Sequence, residues 1–319
     1  MLIQPDDIIR RWQSGESIFN LHTSGTTGLP QNIPLQRHLI QLSCQITGQY
    51  LGIGPTDSIL CCLPLNRVGG LMQIFRSQVW QIPIHFVQPS TNPLNANLPE
   101  ASITSLTPMQ AGLALQSETG RKNLKSFRIV LLGGGEISPE LEQSLPKGPQ
   151  FYHTYGMTET YSHIAMRKLG SSNAFGFLLP TEACTDERGC LAIKNELTQD
   201  NWLQTNDIVN IHTDGTFEVL GRADHIINSG GVKINPAETE AIIARHTRLQ
   251  PHEFFCAGVT DEILGQKLVL VLLQSASQPN LDQIPFSPGY LKPKEIVVKK
   301  EFVYTETQKI RRLETLNQR

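Results

Sequence analysis

The sequence predicts an α/β fold with a covered sheet, a small β-rich part behind it and a final α+β part. Three observations predict this. Short apolar runs alternate with helix-spaced apolar residues through the first two thirds of the chain, the pattern of a sheet with helices on its faces. From about residue 180 the texture changes to short strand-like runs between polar turns. Beyond GRADHIINSGG, residues 221–231, come a helix signal and two more apolar runs.

Taken in order, residues 18–21 (IFNL) form the first expected strand. Leu39, Leu42, Ile46 and Tyr50 keep helical spacing, as do Leu71, Ile74, Phe75 and Val79, which places a helix over 69–80. Residues 58–63 (SILCCL), 82–87 (IPIHFV), 102–106 (SITSL) and 128–132 (RIVLL) read as strands. The β-rich part offers strands at 189–194, 202–205, 207–211 and 217–220. Asn235 and Pro236 then open a helix, Asn235 as N-cap, Pro236 in the first turn and Glu238 placed to close a capping box. Strands near 256–259 and 268–273 follow, and residues 278–290, with three prolines, read as a loop. The boundary falls near 221–225, giving an N-terminal domain over 1–223, with its β-rich subdomain at about 181–223, and a C-terminal domain over 224–319.

Composition narrows the function. A length of 319 residues suits two domains, at roughly 150 residues each. A net charge of −2 gives no reason to expect nucleic acid or an anionic membrane as partner. The six cysteines form no C-x-x-C pair, so reduced thiols in a cytoplasmic protein are expected. The N-terminus lacks an apolar signal core. The longest strongly apolar run, 268–273, is too short for membrane insertion.

Six stretches carry chemistry. TSGTTG, residues 23–28, surrounds two glycines with hydroxyls, a surface that suits phosphate oxygens but would also make a plain turn. LLGGGE, residues 131–136, ends an expected strand in flat backbone, where ligands of open α/β sheets sit. YGMTET, residues 155–160, offers Thr158 and Glu159; beside a triphosphate a lone carboxylate is a natural Mg²⁺ ligand. TNDIV, residues 205–209, puts Asp207 at an expected strand start, where it can accept from vicinal ribose hydroxyls or cap a turn. GRAD, residues 221–224, brings Arg222 and Asp224. YTETQKIRR, residues 304–312, carries Lys309, alone no more than a basic tail.

In this order the six stretches resemble the adenylate-forming superfamily of acyl-CoA synthetases, adenylation domains and luciferases, from about residue 19 to residue 312. The resemblance implies an N-terminally shortened form of that fold with a mobile C-terminal domain. It implies ATP, Mg²⁺ and CoA as ligands. Thr23, Ser24, Gly25, Thr26, Thr27 and Gly28 would bind the β- and γ-phosphates. Gly133, Gly134 and Gly135 would border adenine, with Tyr155 stacked near it. Thr158 would meet the α-phosphate, Glu159 the metal, and Asp207 and Arg222 the ribose. Asp224 matches the hinge, Lys309 the adenylation lysine, and Ser229, Gly230 and Gly231 the thiol channel.

Within the superfamily, SLTPMQ (105–110), YGMTETYSHIAMRKLG (155–170), TNDIV and INSGGVKINPAETE (227–240) look most like the o-succinylbenzoate–CoA ligases of menaquinone biosynthesis, in a compact bacterial form. Such a substrate keeps a benzoate that needs a cationic anchor beside apolar walls. Arg76 is the first candidate, then His163 and Arg67, with Thr107 and Gln110 lining the acyl pocket. Four positions depart from the pattern: Gln31 stands where a lysine is usual, Asn66 and Arg67 where histidine or an aromatic is common, and Gln308 where glycine precedes the lysine. The resemblance also implies a long N-terminal lobe that is not in this sequence, and a homo-oligomer is one expectation for what covers that side. A ligase for another aryl or acyl acid and a non-catalytic nucleotide-binding paralogue are the rival readings. Retention of Glu159, Asp207, Arg222 and Lys309 argues against the second.

Overall fold

Pro5 in the first turn, Asp6 and Asp7 behind it and Arg10 and Arg11 in the last turn suit the polarity of the first helix, α1 (Pro5–Gln13). The structure is a computed structural model and describes residues 4–23, 31–304 and 310–318. Helix α1 buries Ile8 and Trp12. Trp12, Phe19 and Phe75 pack together with ring centroids 4.7–5.9 Å apart. Each such ring, withdrawn from water, contributes about 2–3 kcal/mol.

Strands β1 (Ile18–Thr23) and β2 (Gln31–Gln36) pair antiparallel, Ile18 opposite Gln36 and Thr23 opposite Gln31. Helix α2 (Arg37–Leu51) leaves β2 directly and ends at Gly52 with φ 59°, the left-handed stop that glycine favours. Strand β3 (Ile59–Cys61), helix α3 (Val68–Trp80), strands β4 (Ile84–Phe86) and β5 (Ile103–Leu106), helices α4 (Pro108–Ala114) and α5 (Glu118–Ser126), strand β6 (Ile129–Gly133), helix α6 (Pro139–Ser144) and strand β7 (Gln150–Met157) follow. Strands β8 (Ser162–Lys168) and β9 (Gly176–Phe177) complete a seven-stranded sheet in the order β4-β3-β5-β6-β7-β8-β9. Its first five strands are parallel, β8 runs antiparallel to them, and β9 is antiparallel to β8. Ile59, Leu60, Cys61 and residues 129–132 are buried, so these strands read as continuous apolar runs.

Helices α2 and α3 lie unusually close. The Trp80 indole donates to Cys44 O at 2.7 Å, and a Cβ on Gly48 would stand 2.6 Å from Trp80 Nε1. The core joining α1, α2 and α3 continues through Tyr161 and Ile164 to Leu191, Ile193 and Phe217 of the next sheet.

That sheet is antiparallel, β10 (Glu182–Thr185), β11 (Cys190–Lys194), β12 (Leu203–Ile211) and β13 (Phe217–Arg222). The two strands expected at 202–205 and 207–211 are one, β12, with a register shift between Ile208 and Val209. Asp207 is therefore mid-strand, and pairing on both sides carries the chain through the polar Asn206.

After a 3₁₀ turn at Ala223–His225 a last sheet begins, with β14 (Ile227–Ser229), β15 (Val232–Ile234), helix α7 (Pro236–His246), β16 (Phe254–Asp261), β17 (Gly265–Leu273), β18 (Glu295–Lys299) and helix α8 (Arg312–Asn317). Strand β17 pairs antiparallel with β14 and β16 and parallel with β18. Ile227, Ile243, Cys256, Leu268 and Leu270 form a separate core there. Asn235 caps α7 as expected, its Oδ1 accepting from Ala237 N. The capping box with Glu238 does not form: Oδ1 is taken by Ala237 N, Glu238 N donates to Asn235 O at 3.1 Å, and the Asn235 amide NH2 donates to Leu220 O at 2.8 Å. The segment 278–290 is irregular apart from 3₁₀ turns at Leu281–Gln283 and Gly289–Leu291. No described helix is long and apolar enough to cross a membrane. All six cysteines are unpaired, five of them buried, and burial pushes the Cys44, Cys61 and Cys62 thiols up to about 12.

Candidate active site

The ends of β5, β6 and β7 carry three of the expected site stretches side by side, because these parallel strands are neighbours in register. Thr107 follows β5, Gly133–Gly135 close β6, and Tyr155 lies near the end of β7. Carboxyl ends of parallel strands are where α/β sheets hold ligands.

Tyr155 reaches across to the second sheet. Its hydroxyl donates to Asp207 Oδ2 at 2.7 Å. Arg222 NH1 donates to Asp207 Oδ1 at 3.0 Å, and its Nε and NH2 grip Asp224. Asp207 and Arg222 are directly opposed across β12 and β13, so strand register sets this pair. Burial, then the neighbouring Asp207 charge, drives the Tyr155 hydroxyl pKa well above its ordinary value and keeps it a donor. An ionised carboxylate has about four acceptor sites, so Asp207 keeps capacity beyond these two bonds.

Thr158 and Glu159 occupy a 3₁₀ turn, Thr158–Thr160, held by Met157 N donating to the buried Thr160 hydroxyl at 3.0 Å. Tyr161 and Ser162 behind it have φ of 56° and 94°, values uncommon for residues with a Cβ and typical of strained functional backbone. Gly156 makes the turn back into β8 feasible, since a Cβ there would stand 2.0 Å from Ser162 O. A cavity of about 240 Å³ opens beside Thr158 and Glu159, with Ile33, Leu35, Leu197 and Trp202 in its walls. The described residues contain no cluster of three or more His, Cys, Asp or Glu that could hold a metal. The single exposed carboxylate of Glu159 fits Mg²⁺, which takes one or two carboxylates and fills its sphere with phosphate oxygens and water.

Arg76 and His163 are brought together, 87 residues apart in sequence. Arg76 is 3% exposed. Its NH2 donates to Ser162 Oγ at 3.2 Å and lies 3.3 Å from His163 Nδ1. Its Nε has no hydrogen-bond partner among the described residues. Burial, then the adjacent guanidinium, pushes His163 well below its ordinary pKa, so the ring is neutral. Thr107 and Gln110 are occupied otherwise: they form the capping box of α4, and Gln110 Nε2 donates to Ser90 O. Arg67 stands at the N-cap position of α3 in extended backbone. Ser229, Gly230 and Gly231 form the tip of the β14–β15 hairpin, with φ of 59° and 81° at the two glycines, as a two-residue turn of this kind requires. The side chains of Thr23 and Gln31, and the whole of Ser24, Gly25, Thr26, Thr27, Gly28, Gln308 and Lys309, lie outside the described residues.

His153 is a site neighbour that sequence reading missed. Its Nε2 sits 3.0 Å from Gly135 O, and its Nδ1 accepts from Arg167 Nε at 3.4 Å. Arg167 is held by Glu142 at 2.9 Å. Burial, followed by Arg167, lowers the His153 pKa to about 4. A neutral ring with its proton on Nε2 thus tethers the glycine loop. No local pattern announces it, since the partner carbonyl is 18 residues away.

Comparison with known proteins bears on the family and the fold. A profile of the AMP-binding enzyme family matches residues 6–185. A 2-succinylbenzoate–CoA ligase of Geobacillus kaustophilus is 31% identical over 297 residues, covering 82% of this chain and 60% of its own. That of Bacillus subtilis is 30% identical over 277 residues, 77% of this chain and 57% of its own. The chain thus spans about 60% of the length of these curated relatives. An AMP-forming acyl-CoA synthetase/AMP-acid ligase II-like protein of Dyadobacter fermentans is 34% identical and superposes with a TM-score of 0.63, over 97% of this chain and 92% of that one. The o-succinylbenzoate CoA synthetase of Bacillus subtilis, solved with ATP and magnesium, shares the fold at 22% identity, with a TM-score of 0.76 over 93% of this chain and 69% of its own. By its adenylate-forming fold and by a family match running from α1 into β10, this chain belongs to the AMP-binding enzyme family.

Proposed function

We propose that the protein is an ATP- and Mg²⁺-dependent acid–CoA ligase that converts 2-succinylbenzoate to o-succinylbenzoyl-CoA, AMP and pyrophosphate. The curated 2-succinylbenzoate–CoA ligases among its relatives support this reading. The observation that carries the substrate is Arg76. A fully buried guanidinium whose described partners are a neutral hydroxyl and a neutral imidazole is costly unless an anion joins it. An acid with a second carboxylate besides the one activated supplies that anion.

In this reading Asp207 and Arg222 hold the ribose, and Gly133–Gly135 and Tyr155 flank the adenine. Thr158 donates to the α-phosphate, and Glu159 holds the metal, which when bound offsets polyphosphate charge. The acid's carboxylate oxygen bonds to the α-phosphorus as the bond to the pyrophosphate oxygen breaks. Positioning and charge stabilisation carry most of such a step. Lys309 aims a cation at the developing charge, plausibly worth about 3–4 kcal/mol. The CoA thiol then attacks the acyl carbon, past Ser229–Gly231, and AMP leaves. Residues 1–223 and 224–319 act as two domains that turn about Asp224 between the half-reactions. The six unpaired cysteines and water-soluble substrates support a cytoplasmic location.

Pyrophosphate release with ATP and CoA tests the substrate. 2-Succinylbenzoate should exceed 4-oxo-4-phenylbutanoate, which lacks the ring carboxylate, by about 100-fold or more in kcat/KM. Equal turnover of the two, or selective turnover of some other aryl acid, would sink the assignment.

A further inference from the structure

We infer that Thr47 and His163 are positioning residues that set the Arg76 guanidinium for an anionic acid, an inference that rests on the reading of Arg76 given above. Three elements meet here: α2 brings Thr47, β8 brings His163 and α3 brings Arg76. Thr47 is wholly buried, His163 6% exposed and Arg76 3%.

The hydrogen bonds fix the state of the ring. Thr47 Oγ1 donates to Ser43 O at 2.9 Å, one helical turn back, which uses its only proton. Its 2.8 Å contact with His163 Nε2 must then run from Nε2–H to the hydroxyl oxygen. A neutral ring protonated on Nε2 keeps its lone pair on Nδ1. Arg76 NH2 lies nearly equidistant from the two ring nitrogens, 3.3 Å from Nδ1 and 3.4 Å from Nε2. A guanidinium can only donate, and Nδ1 is the one ring atom able to accept. The opposite tautomer would set the Nε2 lone pair against the Thr47 hydroxyl oxygen.

Helix α2 secures the other half of the seat as well. Ser43, one turn before Thr47, donates to Tyr161 O at 3.0 Å. Thr160 Oγ1 lies 2.7 Å from Ser162 O, bracing the left-handed backbone that presents Ser162 Oγ to Arg76. From one helix face, Thr47 thus holds the His163 ring directly and Ser43 holds the Tyr161 carbonyl next to Ser162, the two spaced i and i+4. Both partners of NH2 are neutral, so they orient the guanidinium without cancelling its charge. The Nε–H stays uncommitted among the described residues. A seat of neutral acceptors orients the guanidinium and keeps its charge for a ligand anion.

The test compares KM for the acid with KM for ATP. Thr47→Val keeps the shape and removes the acceptor, and should raise the acid KM about tenfold while the ATP KM stays within about twofold. Thr47→Ser should restore wild-type behaviour. His163→Phe should match Thr47→Val, whereas His163→Gln, which can accept from Arg76 and donate to Thr47, should stay within about threefold of wild type. Parallel rises in both KM values together with a fall in Tm would mean a purely structural role and overturn the inference. Arg76→Lys separates the layers. An unchanged acid KM in Arg76→Lys removes the underlying reading. A raised acid KM there, with wild-type values in Thr47→Val and His163→Phe, removes only the positioning role.

Discussion

Replacing Asp207 by alanine takes away two bonds of unequal weight. The bond from the Tyr155 hydroxyl is charge-assisted and 2.7 Å long; such bonds are worth about 1.5–3 kcal/mol. The ion pair with Arg222 counts for less. Arg222 is 36% exposed against 14% for Asp207, and it keeps Asp224 after the substitution, so at most about 1 kcal/mol is lost there. The total is about 2–4 kcal/mol. Asp207→Asn keeps the shape and one acceptor oxygen but replaces the other with an NH2 donor, and should cost about half as much. Urea denaturation at neutral pH measures both. If Asp207 also accepts from the ribose hydroxyls, the alanine variant loses about 3 kcal/mol of nucleotide binding, roughly 100-fold in ATP KM. The acid KM should not follow it. Equal stability of the alanine and asparagine variants would refute the Tyr155 bond as a support. A stability loss with an unchanged ATP KM would confine Asp207 to structure.

Three further outcomes are expected. Burial raises the Asp57 pKa, but Arg128, Gly54 N–H and Ser102 outweigh it and hold the carboxyl below its ordinary value. The stabilisation is therefore present above the unfolded pKa near 4 and is lost as pH falls through the folded value. Asp57→Asn should lose about 1–2 kcal/mol at pH 7 and show a shallower decline below about pH 4; an unchanged acid limb in urea titrations contradicts this. Gly156→Ala forces a Cβ against Ser162 O and to 2.5 Å from the His163 Cα, and should cost about 3 kcal/mol or more, seen as a lower Tm. Lys309→Ala should slow adenylation by about 100-fold or more while sparing thioester formation from supplied acyl-adenylate; equal loss of both half-reactions contradicts that division of labour.

Some of this was legible locally. Strands β3 and β6 are apolar over consecutive positions because both faces are covered, so burial wrote itself into composition. Asn235 and Pro236 mark the start of α7 because capping acts within one turn. The glycine of YGMTET is forced by the backbone it passes. Strand β2 was missed, since QNIPLQ is polar and holds a proline, and only its pairing with β1 makes it a strand.

The sequence by itself determined the α/β alternation, the order of the ligand-facing stretches and the residue types they offer, because each depends on neighbours a few positions away. Tertiary structure alone decided which of those residues work together. Tyr155 and Asp207 are 52 positions apart, Thr47 and His163 116. Only the close packing of α2 on α3 and the antiparallel return of β8 bring Thr47, His163 and Arg76 into one buried seat. The same geometry engages Thr107 and Gln110 in a helix cap. A hydrogen bond depends on distance and direction at both ends, and across such separations those are set by the packing of whole elements.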